Sequence, residues 1–162
     1  MSKQAMQRIA VVLCPGLRAC EYRFSFARSL IFDLIPRMNS NGIVDLRSLH
    51  SVTETVDRLE ALLAAKGIKI FARIDQAAEA RAAGLTLRPT VLLIFGDPKS
   101  GTPLMDRHPS IALDLPLKAL VAQSPDGAVH LMYNGPEFLR ERHGLDTLPF
   151  VPIEELLTEA TQ

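Results

Sequence analysis

From Leu117 to Asn134 the chain reads LKALVAQ, SPDG, AVHLMYN, and this passage restricts the fold more than any other. Two runs rich in β-forming residues flank a turn with Pro125 and Asp126 at its centre. Proline presets the turn's first dihedral and aspartate bonds its own backbone, so the chain doubles back. The passage predicts a hairpin and commits the fold to antiparallel pairing. Upstream, TVLLIFG is apolar without a break, which predicts a central strand.

The other elements follow from spacing. GIVDLRSL alternates, with Val44 and Leu46 on one face, as a half-buried strand does. Ser51 and Glu54 form a capping-box pattern, and Val52, Val56, Leu59 and Leu63 follow at helical spacing up to Gly67. In IKIFARID, strict alternation puts Ile68, Ile70, Ala72 and Ile74 on one side and Lys69, Phe71, Arg73 and Asp75 on the other. That polar side predicts ion pairs across the sheet with Asp45 or Lys118. QAAEARAAG predicts a short helix, and PEFLRERHG and VPIEELLTEA predict two more. The order is strand, helix, strand, short helix, strand, loop, hairpin, helix. It predicts an α+β fold with helices on one face of a mostly antiparallel sheet.

Composition limits function more by exclusion. The chain has 162 residues and no net charge, so nothing global points to nucleic acid or an anionic membrane. Residues 1–38 carry six basic and two acidic side chains, which leaves twelve basic against sixteen acidic in the remainder. Both cysteines, Cys14 and Cys20, lie in the basic part, so the main body has no thiol nucleophile or cysteine metal site. Residues 25–35 predict one short amphipathic helix ended by Pro36. No run approaches the roughly 20 apolar residues of a membrane helix. The apolar run Ile9 to Cys14 is too short for a secretory leader, so a cytoplasmic protein without membrane or nucleic-acid partners is expected.

The motifs FARID, LRPT, LIFGDPKSGTPLM and ALDLPLK occur in that order. From about Gly42 to about Gly144 the chain resembles the bacterial DUF302 family, a domain of unknown function. The resemblance implies a TBP-like α+β fold, one β-α-β4-α unit, and a homodimer. It does not imply DNA binding, because a shared fold does not carry function. Relatives often have histidine after the aspartate of FARID, where this chain has Gln76. The expected division is an N-terminal extension over 1–38, the domain over 42–144, and a C-terminal helix and tail over 145–162.

Candidate chemistry concentrates between the third strand and the hairpin. Gly96 and Gly101 bracket DPKS, and Thr102-Pro103 reads as an N-cap with a first-turn proline. Asp97 and Asp114 are expected to bond backbone N–H groups and stiffen the loop. Lys99 with the N–H groups near Thr102 makes a candidate anion site, although the spacing of a P-loop is absent. His108 stands among Asp106, Arg107 and Asp114, the company a general base or metal ligand keeps. A metal site would require His130 and an aspartate to converge on His108, and neither a metal nor a cofactor is expected. Ser100, Ser110 and Ser124 lack a nucleophile elbow.

Two functional readings follow. The first is a homodimeric module that binds a small ligand, an anion among the candidates, or a partner, with Asp97, Lys99, Thr102, His108, Asp114 and Lys118 as candidate contacts. The second is an enzyme using residues 97–118 for acid–base chemistry on a small anionic substrate. Residues 1–37 precede the resemblance and Met38 begins a natural domain start, so this segment is expected to be dispensable.

Overall fold

The computed structural model describes Arg37, Met38 and residues 41–162. The helix expected over residues 25–35 lies outside them. The elements are β1 (Arg37–Met38), β2 (Ile43–Ser48), α1 (Val52–Ala65), β3 (Lys69–Asp75), α2 (Gln76–Ala82), β4 (Thr90–Gly96), α3 (Pro98–Arg107), a 3-10 turn (Pro109–Leu113), β5 (Leu117–Gln123), β6 (Val129–Asn134), α4 (Pro136–His143) and α5 (Val151–Thr161). The strands form one sheet in the order β1-β2-β6-β5-β4-β3, with every neighbouring pair antiparallel.

The predicted hairpin forms with β5 paired to β6 from Ala119–Tyr133 to Gln123–Val129. Its turn closes through the Gly127 N–H on the Ser124 carbonyl at 3.0 Å, with Gly127 at φ 87°. The Ser124 hydroxyl and the Ala128 N–H both donate to the Asp126 carboxylate. Those two bonds hold the Asp126 carboxyl below the usual carboxylate range.

Helix α1 starts as its sequence predicts, with the Glu54 N–H donating to the Ser51 hydroxyl at 3.2 Å. It ends in a Schellman pattern: Gly67 N–H bonds the Ala64 carbonyl and Ile68 N–H the Leu63 carbonyl. Val52, Val56, Leu59 and Leu63 are buried. They pack with Leu156, Leu157 and Ala160 of α5 against Val44, Leu46, Leu93, Val121 and Leu131 of the sheet. The Arg58 guanidinium donates to the carbonyls of Glu159 and Ala160 at 3.4 Å each, satisfying acceptors that the end of α5 leaves open.

Strand β3 departs from strict alternation. The register shifts between Ile70 and Ala72: Ile70 faces Phe95, whereas Arg73 faces Leu93 and Ile74 faces Leu92. A bulge inserts one residue and reverses every later side chain. Ile70 therefore packs on the core, while Ala72 and Ile74 lie on the opposite face. The predicted cross-sheet pairing fails for the same reason. Arg73 reaches α1 and bonds Asp57 at 2.8 Å and Glu60 at 3.2 Å, and the Asp57 bond chiefly raises its pKa. Asp75 caps α2 through the Ala78 N–H at 2.9 Å, with Gln76 as the helix's first residue. Asp45 pairs with His130 at 2.8 Å.

Leu59 is fully buried. Leu59→Ala should lower unfolding free energy by about 2–5 kcal/mol, measured by denaturant titration. An unchanged midpoint would mean that α1 does not cover the sheet with this face.

Candidate functional site

The end of β4 sets the geometry of the candidate region. After Gly96 the chain turns at Asp97, whose carboxylate accepts the Lys99 N–H at 3.0 Å and so caps α3. Pro98 fits the first helical position because the missing N–H is not needed there. The Ser100 and Gly101 N–H groups donate to the Asp97 carbonyl. The helix thus starts several residues before the predicted start. Thr102 is an interior residue rather than the N-cap, and Pro103 lies within the helix. Asp97, with Pro98 behind it, is a stronger start signal than Thr102-Pro103 and prevails over it. The donors that an anion would need at this terminus are taken by Asp97 itself.

Asp97 and Thr102 line a cavity of about 300 Å³. Its wall is mostly apolar, with Ile68, Phe71, Met105, Leu115, Leu117 and Ile153 as the main contributors. The β3 bulge matters here, because Phe71 falls within the register shift and lies close beside Gly96: a Cβ at position 96 would sit 3.8 Å from the Phe71 ring. Gly101 is buried in α3 against Leu115 and Met105 and contributes no side chain, which leaves room in the cavity. One Asp97 oxygen is used by the cap, and its carboxylate is the charged group on the lining. The Lys69 ammonium lies 4.8 Å from the Phe71 ring centroid.

Asp114 and Lys118 line a second, smaller cavity of about 30 Å³, beside Tyr133, Asn134 and Glu154. Tyr133 donates its hydroxyl to Glu154 at 3.0 Å, and burial followed by the Glu154 charge pushes the phenol well above its usual range. Among the described residues, Lys118 makes long contacts, 3.5 and 3.4 Å, to the carbonyls of Asp114 and Pro116. Lys99 and His108 line neither cavity. Neither Lys99 nor His108 therefore shares one of these two cavities with Asp114, the convergence that the acid–base reading requires.

Asp114 also behaves differently from its expected role as a backbone acceptor. Its carboxylate accepts from His143 Nε2 at 2.7 Å and from Arg142 Nε at 3.3 Å. His143 Nδ1 lies 3.0 Å from the Ser110 hydroxyl, so Ser110, His143 and Asp114 form a continuous hydrogen-bonded chain. The connectivity matches a nucleophile triad, in which the histidine likewise bonds both partners, but the exposed Ser110 lines neither cavity. With His143 buried between them, these bonds tie the 3-10 turn to α4 as a clamp. Separations of 29 and 33 residues leave no local sequence signal for the clamp.

His143→Ala removes the centre of that chain and leaves a nearly buried carboxylate with Arg142 alone. It should destabilise the domain by about 1–3 kcal/mol. Ser110→Ala should cost less because Ser110 is exposed. Thermal melts of both variants would reverse this assignment if Ser110→Ala proved the more damaging.

Comparison with known proteins places this geometry in a lineage. Residues matching 73% of the chain are 42% identical to the Fluoride-specific ion channel FluC 1 of Brucella suis and to FluC 2 of Brucella melitensis. The match covers 46% and 44% of those proteins, so this chain spans less than half the length of these relatives. No helix among the described residues is long and apolar enough to cross a membrane. In fold, the chain is similar to the crystal structure of an uncharacterized conserved protein DUF302 from Bacillus stearothermophilus. That likeness has a TM-score of 0.63 and 20% identity, over 74% of this chain and 95% of that one. Residues 44–162 match the family described as Domain of unknown function DUF302, and with β3–β6, α1 and α5 inside that span, and β2 from Val44 on, the chain belongs to this family.

Proposed function

We propose that this domain binds a small molecule with an apolar body and a hydrogen-bond-donating end. The observation that carries the reading is the cavity of about 300 Å³ with its largely apolar wall and few polar groups. Ligand sites have this character: apolar burial supplies affinity and a few placed polar atoms supply orientation. Asp97 is the charged group on the lining, and Ser100 and Thr102 add hydroxyls. An amine or alcohol fits that rim better than a carboxylate, which would be repelled by Asp97.

Calorimetry with hexylamine, hexanol and hexanoate tests this directly. The amine and alcohol should bind more tightly than hexanoate. Gly101→Leu, which puts a side chain into the cavity, should abolish binding while the fold remains. Asp97→Asn should keep the helix cap and erase the preference for the amine. Tightest binding of hexanoate would instead assign the polar contact to Lys69 over Phe71.

The domain is also proposed to pair with a second copy through the sheet face opposite α1 and α5. Register places Leu92, Ile94, Leu120 and Met132 on that face, with Ile74 at 37% exposure beside them. Monomeric mass in analytical ultracentrifugation at micromolar concentration would end this proposal.

A second reading rests on the Brucella relatives, in which a stretch similar to this domain belongs to longer proteins called fluoride-specific ion channels. On that reading the domain serves fluoride handling as an accessory to a channel. Fluoride tolerance of a strain lacking this gene is the test, and unaltered tolerance would remove the reading.

A further inference from the structure

The two cavities share a wall made by Leu117, Phe150 and Ile153. Phe150 is the residue of that wall with an unusual backbone. It sits immediately before α5 at φ 58°, ψ 21°, and among the described residues it is the non-glycine residue with positive φ. A bulky L-residue disfavours this region because its Cβ crowds the backbone. Such conformations persist where the surroundings enforce them, and they concentrate at ligand clamps and switch regions. Here the enforcing elements are visible. The Phe150 carbonyl accepts the Ile153 N–H at 2.9 Å and so starts α5, whose first turn contains Pro152. A residue in the left-handed region at this corner brings the ring to the border between the larger and smaller cavities.

The unequal sizes of the two spaces make the ring's position consequential. On one side lie about 300 Å³ with a mainly apolar wall. On the other lie about 30 Å³, room for little more than a water, next to Tyr133, Glu154 and Asn134. Phe150 is one of the three residues that border both spaces.

We infer that Phe150 is a specificity-determining partition: it closes the inner end of the ligand cavity and so limits the length of the apolar chain the domain accepts. This rests on the ligand-binding reading of the larger cavity. The ligand class it selects is a short unbranched amphiphile, whose chain ends against the Phe150 ring and whose polar end remains near Asp97. Leu117 and Ile153 bound the same wall, but neither has the left-handed backbone that a smaller residue would relax.

The test is a homologous series of n-alkanols, from butanol to decanol, titrated by calorimetry into the wild-type protein, Phe150→Ala and Phe150→Gly. Wild-type affinity should rise about fourfold per buried methylene and then stop rising at a definite length. In Phe150→Ala that limit should move to longer chains, so that the first alcohol beyond the wild-type limit binds at least about fourfold tighter than to wild type. Phe150→Gly should show the same displacement. Glycine adopts positive φ without strain, so this variant keeps the corner folded even if alanine loosens it. An identical length limit in wild type and both variants would overturn the partition while leaving the ligand-binding reading intact. Absence of saturable binding by every alcohol to all three proteins would overturn both.

Discussion

A single row of side chains organises this domain. Leu46, Leu131, Val121 and Val91 stand opposite one another across β2, β6, β5 and β4 and are all buried beneath α1 and α5. Because side chains alternate with period two, slipping any one of these strands by one residue would move its apolar residues to the far face. Neighbouring positions reinforce the choice: Val44, Ala119 and Leu93 occupy the next row with Tyr133. The hairpin turn therefore does more than reverse the chain. Its length places Gln123 against Val129, and that register passes through β5 into β4 and through β6 into β2.

The cavity exists because order is interrupted where that register reaches the sheet's edge. At β3 the bulge exchanges the faces of later residues, which sends Arg73 to α1 and leaves Phe71 beside Gly96. At the end of β4 Asp97 turns the strand directly into α3 with no intervening loop. The glycine at 101 then lets the helix pass Leu115 and Met105 with space between them. Three local features, a bulge, a cap and a missing side chain, together produce a concave apolar surface that no one of them encodes. Polar groups remain at its rim because Asp97 belongs to the helix start and Thr102 to the helix's exposed side.

The clamp of Ser110, His143 and Asp114 shows how residue type alone can mislead about chemistry. Those three residues in contact suggest nucleophilic catalysis, yet Ser110 borders neither cavity and the buried imidazole holds the 3-10 turn against α4. A hydrogen-bonded chain centred on a buried imidazole rigidifies the segment that carries it. The segment in question leads into β5, so the clamp steadies Leu115 and Leu117 on the cavity wall.

Much of the fold was legible in the residues because its determinants are local. Alternation marked β2, helical spacing and Ser51 marked α1, Pro125-Asp126 marked the hairpin, and the continuous apolar run marked β4 as an inner strand. The ordered motifs from FARID to ALDLPLK likewise pointed to the family that residues 44–162 match. Each of these signals is carried by residues a few positions apart. The bulge was invisible because IKIFARID alternates well enough to suit an unbroken strand, and only pairing with β4 reveals the extra residue. The helix start at Asp97 was locally encoded but competed with Thr102-Pro103, and packing of Gly101 against Leu115 accompanies the earlier start. Assignment of the six candidate residues to different places was beyond local reading altogether. Asp97 and Thr102 face one cavity, Asp114 and Lys118 another, and Lys99 and His108 neither, because chain reversal between α3 and β5 decides which side chains share a space. Sequence by itself determined most of the strands and helices and, outside β3, which face of them seeks the core, since hydrophobic periodicity and capping act over one or two turns. Tertiary structure alone decided where a concave surface opens and which polar atoms border it, since that depends on distances between residues remote in the chain.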